Sequence, residues 1–474
     1  MAARRRPGWY KALRRLASRV LAKGRMVARD IRWALRHRGP LKRLAQAADG
    51  RAAIGIGAQA TGCNVLMVVV SDLRIDPRVE REARALAAGG YHVTVMCPDP
   101  TLGALRNITI DWGQGIDIRF IAGEASAFLM QRPGFEGGLF FDAALRVARA
   151  LKPLAVHAHD LNTYLIGLAV ARQTGAHLVA DFHEWTSENV HWDGGSQSWV
   201  PYAGEWKAQL QGLEARVMRE ASAVITVCDS IAQALAEELG QGVEHTRKVD
   251  VIRNIPALSA EPTQDYPPLK VQLGLPDDHF VLLWQGGTGP TRLIEPIIAA
   301  LEFAPHCTFV IRGPSLDLFG PEYRAIAEKA GASARLILQG PVPSRDVVAA
   351  ARGADAGIWT LPRLCRNFTY ALPNKIFEYT ASHLALLVAD YPEARRMVET
   401  HEIGLTFDPY DPRSIAAMIN RLIDEPGLAT SFRRNTHAAL ASLDAEGEWQ
   451  KLVALYDTLP RTDEPPSSGQ TKAA

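Results

Sequence analysis

The sequence predicts an α/β protein of two facing, Rossmann-like, doubly wound parallel-sheet domains, preceded by a basic helical extension. Three observations carry this. Short apolar runs of strand length alternate with amphipathic helical stretches. The alternation stops at a segment rich in Pro and polar residues (257–277) and restarts beyond it. A chain of 474 residues also exceeds one ordinary core, and 47% hydrophobic with 22% charged residues is a globular composition, which excludes a disordered or fibrous chain.

In chain order, residues 1–44 read as a basic amphipathic helical arm. Trp9, Leu13, Leu16, Val20, Val27, Ile31 and Leu35 recur near helical spacing, with Arg and Lys between them. Residues 1–50 hold fifteen Lys and Arg against two Asp, so the overall charge of +2 hides a +13 arm on a −11 body. Such an arm seeks an anionic partner. A membrane surface fits the apolar stripe, whereas nucleic acid has no use for it. Residues 45–61, small and Gly/Ala-rich, read as a linker.

The first domain is expected over 62–258. Val65–Val70 is a continuous apolar run, as in a strand covered on both faces; a helix at Val79–Ala88 and a strand at His92–Met96 complete one βαβ step. Further strands are expected at 155–157, 177–180, 223–227 and 249–252, with helices at 164–172 and 230–239. A linker is placed at 259–275 and the second domain at 276–445. Its strands are expected at 280–284, 308–311, 335–338, 356–359 and 386–388, and its helices at 293–301, 345–351 and 374–382. Residues 412–422 and 428–443 read as closing helices, 446–460 as one more, and 461–474 as a disordered tail.

The five cysteines are scattered and odd in number, which argues against a disulfide framework and fits a reducing compartment. No apolar run approaches the roughly 18 residues of a spanning helix, and Arg or Lys interrupts every candidate signal segment. The expected location is cytoplasmic, peripherally held at the inner face of the cell membrane.

Doubly wound sheets bind ligands beyond the carboxyl ends of their strands. Asn374 is expected to cap a helix with Lys375 in its first turn, an anion site with a full positive charge; Glu378, one turn on, suits the vicinal hydroxyls of a ribose. The same spacing also describes an exposed Lys–Glu pair. Gly286, Gly287 and Gly289 form a Gly-rich turn after a strand, open to phosphate oxygens yet lacking P-loop or dinucleotide spacing. Arg78 is either a phosphate ligand or a surface charge, and surface charge is the reading for Arg74 and Arg81. Asp160, Asp181 and the nearby histidines show no metal-ligand spacing, so no metal is expected.

These residues resemble the retaining glycosyltransferases of family four, with the GT-B fold. Leu372–Tyr379 (LPNKIFEY) is similar to the family's donor-binding helix; Gln339–Val342 and Ala354–Gly357 are similar to its flanking segments. In the first half, Asp76–Val79 with Glu82–Ala83, His157–Asp160, Asp181–Glu184 and Val251–Asn254 match in type and order. The resemblance covers about residues 62–445 and implies transfer from a nucleotide-diphosphate sugar without metal or other cofactor. His183 would line the acceptor side, with Asp160 a second catalytic candidate and Asp76, Arg78 and His159 beside them. Gly286, Gly287, Arg292, Tyr370, Asn374, Lys375 and Glu378 would hold the donor, and Arg292 and Lys375 would also be catalytic by stabilising the leaving diphosphate. The sequence departs from the family twice. Tyr370 occupies the slot of a sugar-contacting glutamate, and Gly287 and Arg292 stand where an arginine and a lysine flank the diphosphate.

The implied partners are the donor, a glycan or lipid-linked acceptor in surface polysaccharide synthesis, and the anionic membrane, with no nucleic acid. A nucleotide-sugar 2-epimerase and a non-catalytic glycan- or membrane-binding protein of the same fold are the alternatives.

Overall fold

The computed structural model describes residues 42–44, 46–49, 63–74, 76–98, 109–121, 138–239, 248–256, 258 and 262–461. The arm up to residue 41 and the tail from 462 lie outside them. Two parallel sheets form as expected. The first contains β1 (Asn64–Val68), β2 (His92–Pro98), β3 (Ile116–Ile121), β4 (Ala155–His159) and β5 (His177–Phe182). A separate antiparallel hairpin, β6 (Val190–Asp193) and β7 (Ser198–Pro201), precedes β8 (Ala223–Thr226) and β9 (Asp250–Val251) of that sheet. The second sheet contains β10 (Phe280–Gln285), β11 (Cys307–Arg312), β12 (Leu336–Gln339), β13 (Ala356–Trp359), β14 (Ala385–Ala389) and β15 (Gly404–Phe407).

The strand orders are β3-β2-β1-β4-β5-β8-β9 and β12-β11-β10-β13-β14-β15. In each, winding reverses beside the first strand of the domain, between β1 and β4 and between β10 and β13. Those reversals open the crevices in which doubly wound sheets take ligands. The central strands are buried along their length because helices cover both faces. Edge strand β3 alternates instead (IDIRFI), so a search for unbroken apolar runs passes it over. The helices Gly138–Leu151, Gly204–Glu220, Leu316–Lys329 and Pro392–Thr400 are also additions to the sequence expectation.

Three domain boundaries shift. Residues 46–49, assigned to a linker, are helical, and Leu44, Ala47 and Ala48 are buried in the first domain's core. Arg172 and Arg216 both donate to the Ala48 carbonyl. The linker at 259–275 is stapled to the second domain, since Asp346 accepts from the Thr263 amide (2.7 Å) and the Tyr266 hydroxyl (2.9 Å), and Leu269 is fully buried there. The closing helix, Ala445–Asp457, returns to the first domain, where the Tyr456 hydroxyl meets His157 Nδ1 at 2.8 Å. No helix among the described residues is long and apolar enough to cross a membrane.

Candidate active site

The second-domain half of the site is built on the turn after β10. Gly286 has φ +115°, a region that penalises any Cβ. The turn is pressed against Lys375: a Cβ on Gly286 would stand 2.7 Å from its Cε and 2.8 Å from its Nζ. At Gly287 a Cβ would come within 3.1 Å of Arg292 Nε. The glycines therefore let two cations close onto one short stretch of backbone.

Lys375 is placed by the helix Asn374–Ala381. Tyr379 of that helix is buried, and its hydroxyl accepts the Gln285 amide (2.8 Å) at the end of β10. A Cβ on Gly357 of β13 would lie 2.3 Å from the Tyr379 ring, so only glycine admits the helix this close. Asn374 is the first helical residue rather than the cap. Pro373 occupies the cap position and supplies no side-chain bond to the opening turn, which is how a helix start remains available to an anion.

Burial pushes the Lys375 ammonium down to about 8, against the attraction of Glu378 and with the repulsion of Arg292. Its Nζ lies 5.5 Å from the Trp284 ring centre. Burial also raises the Glu378 carboxyl, opposed by Lys375 and by Arg81 of the first domain. Arg81 is therefore no plain surface charge. It is partly buried at the domain seam, bonding Asn254 Oδ1 and the Ile255 carbonyl at 2.8 Å each. Arg74 does stay exposed and pairs with Asp72.

The first-domain half lies beyond β4 and β5. His183 Nε2 is 2.7 Å from Asp181, and its Nδ1 is 3.2 Å from Asp160. Burial opposes its charge, yet the two carboxylates carry His183 up to about 10, which makes it a cation at neutral pH. Asp160 has φ +59° and ψ 165°, a conformation nearly reserved for glycine that costs about 1–3 kcal/mol. Its carboxylate accepts the His183 amide at 3.1 Å, and burial raises it to about 6, with His183 opposing. Glu184, next in the chain, is exposed on the rim, where His183, Asn189 and, across the cleft, Arg292 all favour its charged form. Attraction between Glu184 and Arg292 thus links the two halves.

Below this rim is a buried ion network that corrects several expectations. Arg78 is neither a surface charge nor open to a phosphate. It is 3% exposed, bonds Asp181 at 2.8 and 3.1 Å, lies 3.0 Å from Glu82 and donates to the Ile252 carbonyl. Asp76, placed on the acceptor side, caps the helix Pro77–Ala88 through the Val79 amide. His159 is buried, with Nδ1 3.1 Å from His183 Nε2.

Spacing along the chain also hides a shared cluster. His157 and His159 lie two apart on one face of β4, Asp181 is the register partner of His159, and Glu82 enters from its helix. One ligand atom of each lies within 4.8 Å of all the others. These four could surround a cation, but the Arg78 guanidinium already contacts both of their carboxyl groups. Asp181, despite burial, is held well below the usual carboxylate range by Arg78 and His183, whereas burial drives Glu82 well above it. With Glu82 protonated, Arg78 and His183 balance Asp181 and Asp160.

Tyr370 sits at the seam. Its ring packs on the first domain's core with Arg366 5.4 Å above it, and its carbonyl accepts the Cys228 thiol. Sequence reasoning passes over two seam residues, Asn367, which accepts the Trp185 amide (2.9 Å), and Arg366, which stacks 4.4 Å over Trp185. No sequence pattern announces pairs so far apart.

Comparison with known proteins agrees with this architecture. Residues 75–254 match the glycosyl transferase 4-like domain and residues 269–438 the glycosyl transferases group 1 domain. The chain belongs to the GT-B glycosyltransferases of the family-four type. It is 23% identical to a glycogen synthase of Mycobacterium tuberculosis, over 79% of this chain and 87% of that protein. It is 24% identical to D-inositol 3-phosphate glycosyltransferase 1 of Catenulispora acidiphila, over 64% and 71%. The fold is also that of sucrose-phosphate synthase from Thermosynechococcus elongatus (TM-score 0.64, 17% identity, 84% of this chain and 98% of that one). Anabaena Alr3699/HepE, solved with UDP, shares it as well (TM-score 0.61, 15% identity, 83% and 99%).

Proposed function

We propose that this enzyme is a retaining glycosyltransferase that takes a sugar from a nucleotide-diphosphate donor held on the second domain. The observation that carries this is the convergence of Lys375 and Arg292 on the Gly286–Gly287 turn, opposite His183 and Glu184 of the first domain. Lys375, Arg292 and the opening turn of Asn374–Ala381 stabilise the departing diphosphate, and Glu378 holds the ribose. Tyr370, whose ring packs on the first domain's core beneath Arg366, bears on the transferred sugar from the seam between the domains. A charged His183 serves as hydrogen-bond donor and electrostatic partner on the acceptor side, not as a base. The UDP bound by the Anabaena protein supports a nucleotide ligand here.

Calorimetry with UDP, GDP and ADP and their sugar conjugates tests the donor assignment. Each cation supplies a charge-assisted contact of about 1.5–3 kcal/mol, so Lys375→Ala and Arg292→Ala should each weaken the preferred nucleotide about tenfold or more. Wild-type affinity in both variants sinks the assignment. Turnover of the nucleotide-sugar with no acceptor would favour an epimerase.

We further propose that the acceptor is a glycan or lipid-linked glycan in surface polysaccharide synthesis, met at the cytoplasmic face of the membrane. The support is the +13 arm and its apolar stripe. Removing residues 1–40 should abolish sedimentation with anionic vesicles and leave nucleotide affinity unchanged; full-length protein that ignores such vesicles at low salt refutes the membrane role.

A further inference from the structure

The hairpin β6–β7 has two unlike faces. On the inner face the His191 ring lies 4.9 Å from Tyr202 and 4.6 Å from Trp206 of the following helix. The turn is closed by Asp193, whose carboxylate accepts from the Gly195 and Ser196 amides at 3.0 Å. On the outer face Trp192 and Trp199 are direct cross-strand partners, their rings 5.8 Å apart and nearly perpendicular. They are 47% and 41% exposed. A hairpin that presents two indoles to solvent is built for recognition.

The register says what lies beside them. Two residues along that face, about 7 Å away, the next pair is Val190 and Pro201. Pro201 lines a cavity of about 350 Å³ between the domains, whose walls include Asn189, Lys207, Arg363 and Cys365. Asn189 is also bonded to Glu184, the residue attracted to Arg292 across the cleft. The cavity therefore adjoins the cleft rim at Glu184 and Asn189 on one side and the tryptophan pair on the other.

Three occupants can be weighed. A second copy of the chain would need about 800 Å² of buried surface per partner, whereas two half-exposed indoles offer roughly 200 Å². An anionic membrane would call for basic residues at the tip, but Asp193–Ser198 (DGGSQS) has none. A saccharide chain fits both parts, since polar groups in the cavity meet its hydroxyls and the indole faces meet the apolar C–H faces of its rings. We propose that the hairpin is an outer subsite for the saccharide chain of the acceptor, with Trp192 and Trp199 as its stacking platform. This rests on the glycosyltransferase reading above.

The test uses the full chain on a printed array of α- and β-linked oligosaccharides, with Trp192→Ala, Trp199→Ala and the double variant beside wild type. Wild type should bind at least one oligosaccharide. Each single variant should weaken that binding about tenfold and the double variant should abolish it, while UDP affinity and Tm stay at the wild-type values. The proposal falls if wild type binds none of the array. It also falls if the variants bind as wild type does, or lose anionic vesicles instead of saccharide. Nucleotide affinity is a separate readout, so failure to bind any of UDP, GDP and ADP removes the donor reading without being mistaken for failure of the hairpin.

Discussion

Lys375 covers Gly286 so closely that a single methyl group on the glycine would collide with both Cε and Nζ of the lysine. The positive φ of Gly286 adds a further cost of about 1–2 kcal/mol for any other residue. Gly286→Ala should therefore displace the lysine from the turn and weaken UDP at least tenfold, with only a modest loss of stability because the turn is not in the core. Calorimetry and a thermal melt on the same variant separate the two effects. An alanine variant with unchanged UDP affinity would show that the turn and the lysine do not act together.

The depressed Lys375 gives a pH signature. In the free enzyme its ammonium titrates at about 8, and a bound diphosphate must raise that value because it favours the charged form. Affinity for UDP should be full below about 8 and fall as pH rises through it, until the raised value of the complex is reached. Lys375→Arg stays charged throughout, so its affinity should be lower but flat over the same range. A wild-type profile flat between pH 7 and about 9.5 would contradict the phosphate contact.

Much of this architecture is legible in the sequence. The central strands appear as unbroken apolar runs because helices cover both of their faces, and chemistry gathers at their carboxyl ends because the sheets reverse winding there. Gly286 and His183 directly follow such strands, and Arg292 and Lys375 close back onto the turn at Gly286. Arg78 is not legible in this way, because its face of the helix, shared with Glu82 one turn on, points at the ends of β4 and β5 and not at water. That depends on where the helix docks, which its own periodicity does not reveal. Asp76 matches a motif yet serves as a cap, since a residue type that suits a ligand also suits a helix start. Glu184 with Arg292 and Trp185 with Asn367 join residues more than a hundred positions apart.

The buried network yields a contrast between two of its members. Burial drives Glu82 toward its neutral form, which glutamine matches in shape and charge, so Glu82→Gln should cost about 1 kcal/mol or less. Arg78→Met removes the counter-charge of a fully buried Asp181, a loss of about 3–5 kcal/mol. For domains of this size that lowers Tm by roughly 10 °C. Thermal melts of the two variants check the assignment. A larger loss in Glu82→Gln than in Arg78→Met would mean that Glu82 is the ionised partner.

His183 supplies the last prediction, in which stability and catalysis are read together. Asp160 and Asp181 hold its imidazolium up to about 10, from an ordinary value of 6.5. A group whose folded value is raised stabilises the fold fully below its unfolded value, and that contribution is lost as pH rises through the folded one. The window therefore runs from pH 6.5 to about 10. Lys375, depressed from 10.5 to about 8, acts in the opposite sense over part of the same window, so wild type alone is ambiguous. The difference between wild type and His183→Asn cancels the lysine. The stability advantage of wild type should be greatest at pH 6 and shrink steadily towards pH 10. Turnover makes an independent demand, because a histidine that is charged throughout cannot act as a base released near pH 6.5. The kcat/KM of wild type should show no rise between pH 6 and 7.5, and His183→Asn should lower kcat far more than it lowers UDP affinity. An activity limb near 6.5 that vanishes in His183→Asn would show that the histidine is neutral in the working enzyme, and the charge balance drawn for this site would have to be abandoned.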